Sequence, residues 1–182
     1  MFVGGEGFEP SYFGVYNYNM STNYQLKDLS QPSISQWAEL FKNDKLHRHM
    51  PLASKSVDDV WIGKWIESKK SISTITPFEI YSIWNKDEFC GWAGIQPDGD
   101  CYEMAIVLKP NFWGLGRILA NDLIQKYRDS NVDKQLFIYL PLSRNVEIVA
   151  DRFKFTLFGE IEIDGVNFAK LLINVGGEGF AL

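Results

Sequence analysis

PNFWGLGRILANDLI, Pro110 to Ile124, is where a run of apolar residues gives way to an amphipathic helix, and it does so through two glycines set one residue apart. Glycine in the first turn of a helix removes Cβ atoms from around N–H groups that lack an intrahelical partner, so an anion can approach the backbone. Arg117 adds a cation beside them. A loosely packed helix start also tolerates two glycines, and on the glycines alone that reading stays open. Two other phosphate loops do not fit. A Walker loop needs Lys followed by Ser or Thr after its last glycine, and Arg117-Ile118 stands there. A dinucleotide fingerprint needs a third glycine where Leu119 stands.

Working outward, Cys101–Leu108 reads as a strand stopped by Pro110, and Gly114–Arg128 as a helix with Leu115, Ile118, Leu119, Leu123 and Tyr127 along its buried stripe. Upstream lie a strand at Tyr24–Leu29, a helix opened by Pro32 and Ser33, and a loop at His47–Leu52. A second helix, Ser56–Lys70, places Val57, Val60, Trp61 and Trp65 on one side. Phe78–Trp84 and Phe89–Gln96 read as strands, followed by a turn at Pro97-Asp98-Gly99-Asp100. Downstream come a strand at Gln135–Leu140, a short helix at Asn145–Arg152, and strands Phe155–Ile163 and Val166–Ile173 about Asp164-Gly165, a two-residue hairpin signal. A strand–helix–strand unit in the middle of this order predicts one parallel pairing inside a mostly antiparallel sheet.

The bulk numbers exclude several classes. At 182 residues the chain suits one domain with a sizeable core. A net charge of −5 argues against a nucleic-acid binder, which needs a basic surface. Cys90 and Cys101 form no CxxC pair, which disfavours a disulfide or zinc scaffold and makes a reducing cytoplasm the expected compartment. No apolar run reaches the length of a membrane span, and no secretory signal opens the chain. Aromatic residues make up 15 %, which implies a wide core or a pocket.

The ends carry VGGEGF twice, at Val3–Phe8 and Val175–Phe180, too short for a structural repeat. Gly7-Phe8-Glu9-Pro10 matches the translation of a conserved tRNA-gene arm. The expected organisation is therefore an extension over 1–19, a domain over 20–175 beginning at Met20, and a tail over 176–182.

The Pro110–Ile124 stretch resembles the acetyl-CoA signature of the GNAT superfamily of N-acetyltransferases, Gln/Arg-x-x-Gly-x-Gly/Ala, here Asn111-Phe112-Trp113-Gly114-Leu115-Gly116. Tyr102–Pro110 is similar to the family's strand with a Glu near its start, and Trp84 with Gly91-Trp92-Ala93-Gly94-Ile95 to its central hairpin. The likeness runs from Tyr24 to Asn174, and the His-Arg-His-Met-Pro-Leu loop with the Trp-rich second helix resembles the ribosomal-protein N-terminal acetyltransferase branch. It implies a GNAT-like α/β fold, a mixed and mostly antiparallel sheet of six or seven strands flanked by helices. The family's second motif is only partly present: Ala150 stands where its Tyr would, and Lys154 where its Gly would precede Phe155.

The resemblance implies acetyl-CoA as co-substrate, no metal, and direct attack by a primary amine on the thioester. Trp113, Gly114, Leu115, Gly116 and Arg117 would cradle the pyrophosphate, and Asn145 would join the cofactor site. Ile106, Val107 and Leu108 would offer backbone partners to the pantetheine arm, with an N–H near Val107 polarising the thioester carbonyl. The acceptor is a small-molecule amine or a protein N-terminus. An α-amino group titrates near 7.7–8.0 and a lysine amine near 10.4, so freeing the latter at neutral pH costs about 4–5 kcal/mol against about 1 kcal/mol. A general base is therefore more pressing for alkylamines, and Glu103 is the candidate; a solvated or salt-bridged strand Glu is its alternative. Ser143 and Tyr139 are the nearest hydroxyls for the leaving thiolate. His47 and His49 show no third metal ligand, and Trp61, Trp65 and Trp92 line either an acceptor pocket or the core. The β-rich last strands can support a homodimer. Two other readings stay open: a non-catalytic acyl-CoA sensor on this fold, motivated by Ala150 and Lys154, and an unrelated nucleotide binder.

Overall fold

The computed structural model describes residues 24–47 and 57–175. Both VGGEGF copies in the main, the proposed start at Met20, the tail, and all but the first residue of the His47–Leu52 loop lie outside them. One sheet of seven strands organises the chain: β1 (Tyr24–Lys27), β2 (Ile80–Asn85), β3 (Glu88–Asp98), β4 (Cys101–Leu108), β5 (Leu136–Pro141), β6 (Thr156–Ile163) and β7 (Val166–Leu172), in the order β1-β2-β3-β4-β5-β7-β6. Every neighbouring pair is antiparallel except β4 with β5, the parallel pairing that the strand–helix–strand order predicts.

Turn chemistry fixes the registers. Asp164 and Gly165 both have positive φ, 50° and 79°, as a type I′ hairpin requires. Between β3 and β4 the turn is shorter than the sequence suggests. Asp98 already pairs with Cys101, so Pro97 and Asp98 belong to the strand, and Gly99 at φ 58° opens a two-residue loop.

Helices cover both faces. On one, α4 (Gly116–Asp129) and α5 (Val146–Phe153) pack Leu119, Leu123, Tyr127 and Phe153 against Met104 and Leu108. On the other, α1 (Ile34–Phe41) and α3 (Asp59–Lys70) pack Trp37, Phe41, Ile62 and Ile66 against Trp84, Trp92 and Ala105, with α2 (Asp44–His47) between them in sequence. The α3 stripe departs from the expected one. Asp58 caps the helix, its carboxylate accepting from Trp61 N–H at 2.8 Å, so Val57 precedes the helix and the phase turns Ile62 and Ile66 inward while Val60 is exposed. Trp61 and Trp65 flank that stripe, and Trp65 meets Trp37 and Trp92 at 5.1 and 5.3 Å. Trp92 is buried in this core, and Trp61 and Trp65 pack half-buried against it. Among the described residues no helix is long and apolar enough to cross a membrane.

Candidate active site

Strands β4 and β5 pair only at their first residues, Tyr102 with Leu136 and Glu103 with Phe137, and then part. Beyond that point β5 is held on its far side by β7 and β4 by β3, so a cleft opens through the middle of the sheet. Its polar lining follows from strand alternation. Tyr102 N–H donates to the Gln135 carbonyl at 2.9 Å, whereas Lys109 N–H donates to the Cys90 carbonyl at 2.7 Å. No register shift intervenes between β3 and β4. Met104, Ile106 and Leu108 therefore turn their backbone groups toward the cleft, and Val107 turns its own toward β3. The N–H that faces the cleft is Ile106's rather than Val107's. Beyond the Glu103–Phe137 pairing β5 gives Ile106 no ladder partner, so its backbone groups face the gap.

The mouth of the cleft is the Gly-Leu-Gly stretch. Gly114 and Leu115 lie in a 3₁₀ turn, Pro110–Leu115, and α4 begins at Gly116, later than the sequence places it. Ser33, Asp58 and Asn145 cap α1, α3 and α5 with their side chains, whereas the N-cap residue of α4, Leu115, has no polar side chain to do so, and α4 has no acid in its first turn. Trp113 donates its indole N–H to the Leu108 carbonyl at 3.0 Å, which ties the turn to the end of β4, and Arg117 is exposed beside it.

Gly116 has no internal reason to be glycine. Its φ is −56°, and an added Cβ would meet nothing closer than Leu108 Cδ1 at 3.9 Å. Gly91 and Gly94 behave differently: a Cβ would lie 2.0 Å from the Val107 carbonyl oxygen at the first and 2.6 Å from that of Glu79 at the second. Those two are demanded by packing. The space over Gly116 is open from the protein's side, and glycine in a helix costs about 1 kcal/mol against alanine.

Glu103 lies at the fork of the cleft, on the α1/α3 face. Gln96, its partner across the β3–β4 hairpin, donates its amide N–H to Glu103 Oε2 at 2.6 Å, and Lys69 of α3 donates to Gln96 Oε1. Burial raises the Glu103 carboxyl above the usual range; Gln96 and Lys69 oppose that rise, and Asp98 adds to it. Burial likewise lowers Lys69, which sits 5.9 and 5.7 Å over the rings of Trp65 and Trp92. Among the described residues Trp92 Nε1 is a buried side-chain donor without a partner.

The hydroxyl candidates are placed less favourably. Tyr139 donates its phenolic proton to Asp98 Oδ2, and burial together with that carboxylate raises its pKa. It is held as a neutral donor to Asp98, a poor arrangement for releasing a proton to a thiolate. Ser143 is exposed in the turn after β5 that Arg144 N–H closes onto the Pro141 carbonyl at 2.9 Å. Asn145 caps α5, its Oδ1 accepting from Ile148 N–H at 3.1 Å. Lys154 takes up φ 55° at the end of α5, the left-handed position that favours glycine and at which the second motif carries one.

Sequence reasoning missed Gln96, Lys69 and Arg144. The first was readable: once Gly99-Asp100 is the turn, Gln96 falls opposite Glu103. The other two need tertiary structure, Lys69 because α3 must cross β3, and Arg144 because its guanidinium lies 4.6 Å over the Trp113 ring only when both strand ends meet. Two surface cavities of about 310 and 320 Å³ open beside Phe78 and Lys126 and beside Asp28 and Lys70, away from the Gly116 mouth.

No protein-family profile matches the sequence, and neither does any curated protein. Solved structures do match. An acetyl transferase from Salmonella typhimurium that modifies the N-terminal serine of 50S ribosomal subunit protein L7/L12 is 16 % identical, with a TM-score of 0.62 over 84 % of this chain and 95 % of that one. The RimL ribosomal L7/L12 α-N-protein acetyltransferase, in complex with coenzyme A, is 17 % identical, with a TM-score of 0.64 over 85 % of this chain and 97 % of that one. The Salmonella typhimurium protein yncA, solved with its cofactor acetyl-CoA, is 16 % identical, with a TM-score of 0.61 over 88 % of this chain and 98 % of that one. What is shared at these identities is the architecture: the chain has the fold of the GNAT-family acetyltransferases.

Proposed function

We propose that the protein is an acetyl-CoA-dependent N-acetyltransferase that acetylates a primary amine by direct attack. The observation that carries this reading is the gap between β4 and β5 beyond Glu103, which ends at a helix start where Gly116 leaves open space and the first turn holds no acid. An extended chain bearing amides fits a gap where a strand would otherwise pair, and a pyrophosphate fits the mouth. Both belong to coenzyme A. The neighbours solved with coenzyme A or acetyl-CoA support the same ligand.

The roles divide by position. Ile106 N–H, facing the cleft, is the donor for the thioester carbonyl, and Leu108, Trp113, Gly114, Leu115, Gly116 and Arg117 form the mouth. Asn145 stands at the adjoining end of β5. Bound acetyl-CoA supplies an activated acyl group. Glu103 receives the amine proton, directly or through a water, and the thiolate leaves without a placed acid. Tyr139→Phe is accordingly expected to leave the rate within a factor of about three, where loss of a working general acid costs roughly 10²–10⁴-fold. Steady-state kinetics of the variant checks this.

The test is isothermal titration of acetyl-CoA and of free CoA into the protein, followed by CoA release on a panel of α-amines and alkylamines. Binding in the micromolar range with release on some amine is the expected outcome. Absence of binding to folded protein would sink the reading. Binding without release on any amine would favour an acyl-CoA sensor, the alternative to which Ala150, in place of the motif's Tyr, points.

A further inference from the structure

We propose that Lys69 and Gln96 form a positioning relay that holds Glu103 as a hydrogen-bond-accepting carboxylate. The inference deepens the enzyme reading and rests on it for its meaning in catalysis, though not for its test.

An ammonium has only donors, while a carboxamide has an acceptor at one end and donors at the other. Lys69 therefore claims the Oε1 end of Gln96, and the amide must present its N–H₂ group to the opposite side. That side is Glu103 Oε2, at 2.6 Å. A carboxyl facing a donor is favoured in its ionised form, the form a proton acceptor needs. Without Lys69 the amide can turn over and offer its carbonyl to a protonated Glu103, which burial already favours. The hairpin register makes the arrangement stiff, since Gln96 and Glu103 are directly paired across β3 and β4. The other ionisable groups on this face are Asp98 on β3, Cys101 on β4, Tyr139 on β5 and Lys170 on β7; Tyr139 donates to Asp98, and Lys170 stands 4.1 and 5.5 Å over the rings of Phe137 and Tyr139. Of the two cations on this face, Lys69 is the one bonded to Gln96.

The experiment is a ¹³C titration of the Glu103 side-chain carboxyl in the full chain, its signal assigned with Glu103→Gln. Lys69→Met and Gln96→Leu are each expected to move the midpoint upward by about one pH unit, while Lys69→Arg, which keeps a cationic donor, stays close to the wild type. An unmoved midpoint in Lys69→Met overturns the proposal. So does a shift in Lys69→Met with none in Gln96→Leu, because Lys69 would then act through space rather than through the amide. If Lys69→Met fails to fold, Gln96→Leu decides alone: a shift supports the relay and no shift rejects it. With an acceptor amine in hand, the acid limb of kcat/KM moves with the same variants. A shifted titration in a protein that acetylates nothing would keep the relay and reject the enzyme reading.

Discussion

Gly116→Asp is expected to reduce acetyl-CoA affinity by about 100-fold or more while leaving the melting temperature unchanged or raised. The two halves of this expectation have separate causes. Inside the protein the substitution is harmless, since the backbone is ordinary right-handed helix and the nearest atom to a new Cβ is 3.9 Å away. An acid in the first helical turn gains about 0.3–1 kcal/mol from the helix dipole, and loss of the glycine removes up to about 1 kcal/mol of helix cost. For a bound pyrophosphate the same carboxylate is a like charge. At about 5 Å and an effective dielectric near 20, each such pair repels by about 3 kcal/mol, which is about 100-fold in affinity. Calorimetric titration and thermal unfolding on the same sample read both halves. Retained affinity in the variant would return Gly116 to packing and move any ligand away from the mouth. Gly116→Ala separates bulk from charge, because it fills the open space without adding an anion.

Most of the fold was legible because its signals are local. Asp164-Gly165 requires positive φ at both residues, and few backbones other than a tight hairpin supply it. Ser33, with Gln36 three residues on, forms a capping box that fixes the start of α1. The parallel pairing of β4 with β5 follows from the helix between them. What was not legible is how briefly that pairing lasts. Nothing in Cys101–Leu108 or Gln135–Leu140 says that the strands part after Glu103, because separation depends on β5 being held by β7, far along the chain. The cleft is thus a property of the whole sheet, although the glycines at its mouth stand plainly in the sequence.

The site divides in the same way. Glycine types could be read, but not their purposes: Gly91, Gly94 and Gly116 look alike in sequence, and only the distances to a virtual Cβ separate packing glycines from one whose neighbouring space is empty. Tyr139 was selected by closeness in sequence to the strand end, and alternation sends its side chain to the α1/α3 face, where Asp98 holds its proton. Glu103 was selected by resemblance. Its partners on β3 and α3 are what give the choice a physical basis.

Glu103→Gln should lower kcat/KM by roughly 10²–10⁴-fold, leave acetyl-CoA affinity in place, and raise the melting temperature at neutral pH. The stability sign follows from burial. The folded protein holds the carboxyl above its usual value, so folding favours its protonation relative to the unfolded chain. The stability that goes with it is fully present below the ordinary carboxylate range and is lost as pH rises through the raised value. A neutral glutamine restores it at neutral pH, and the advantage over the wild type shrinks toward zero in acid. Gain of stability with loss of rate is expected of a buried base and not of a solvated strand carboxylate, whose replacement would change neither. The size of the rate loss also reports on the acceptor. An α-amine is about one-tenth neutral at pH 7, whereas a lysine-type amine is about 10³-fold less so than it is protonated. If acceptors of both kinds are used, removing the base should therefore damage turnover of the alkylamine more. Equal losses would mean that Glu103 orients the amine rather than receiving its proton.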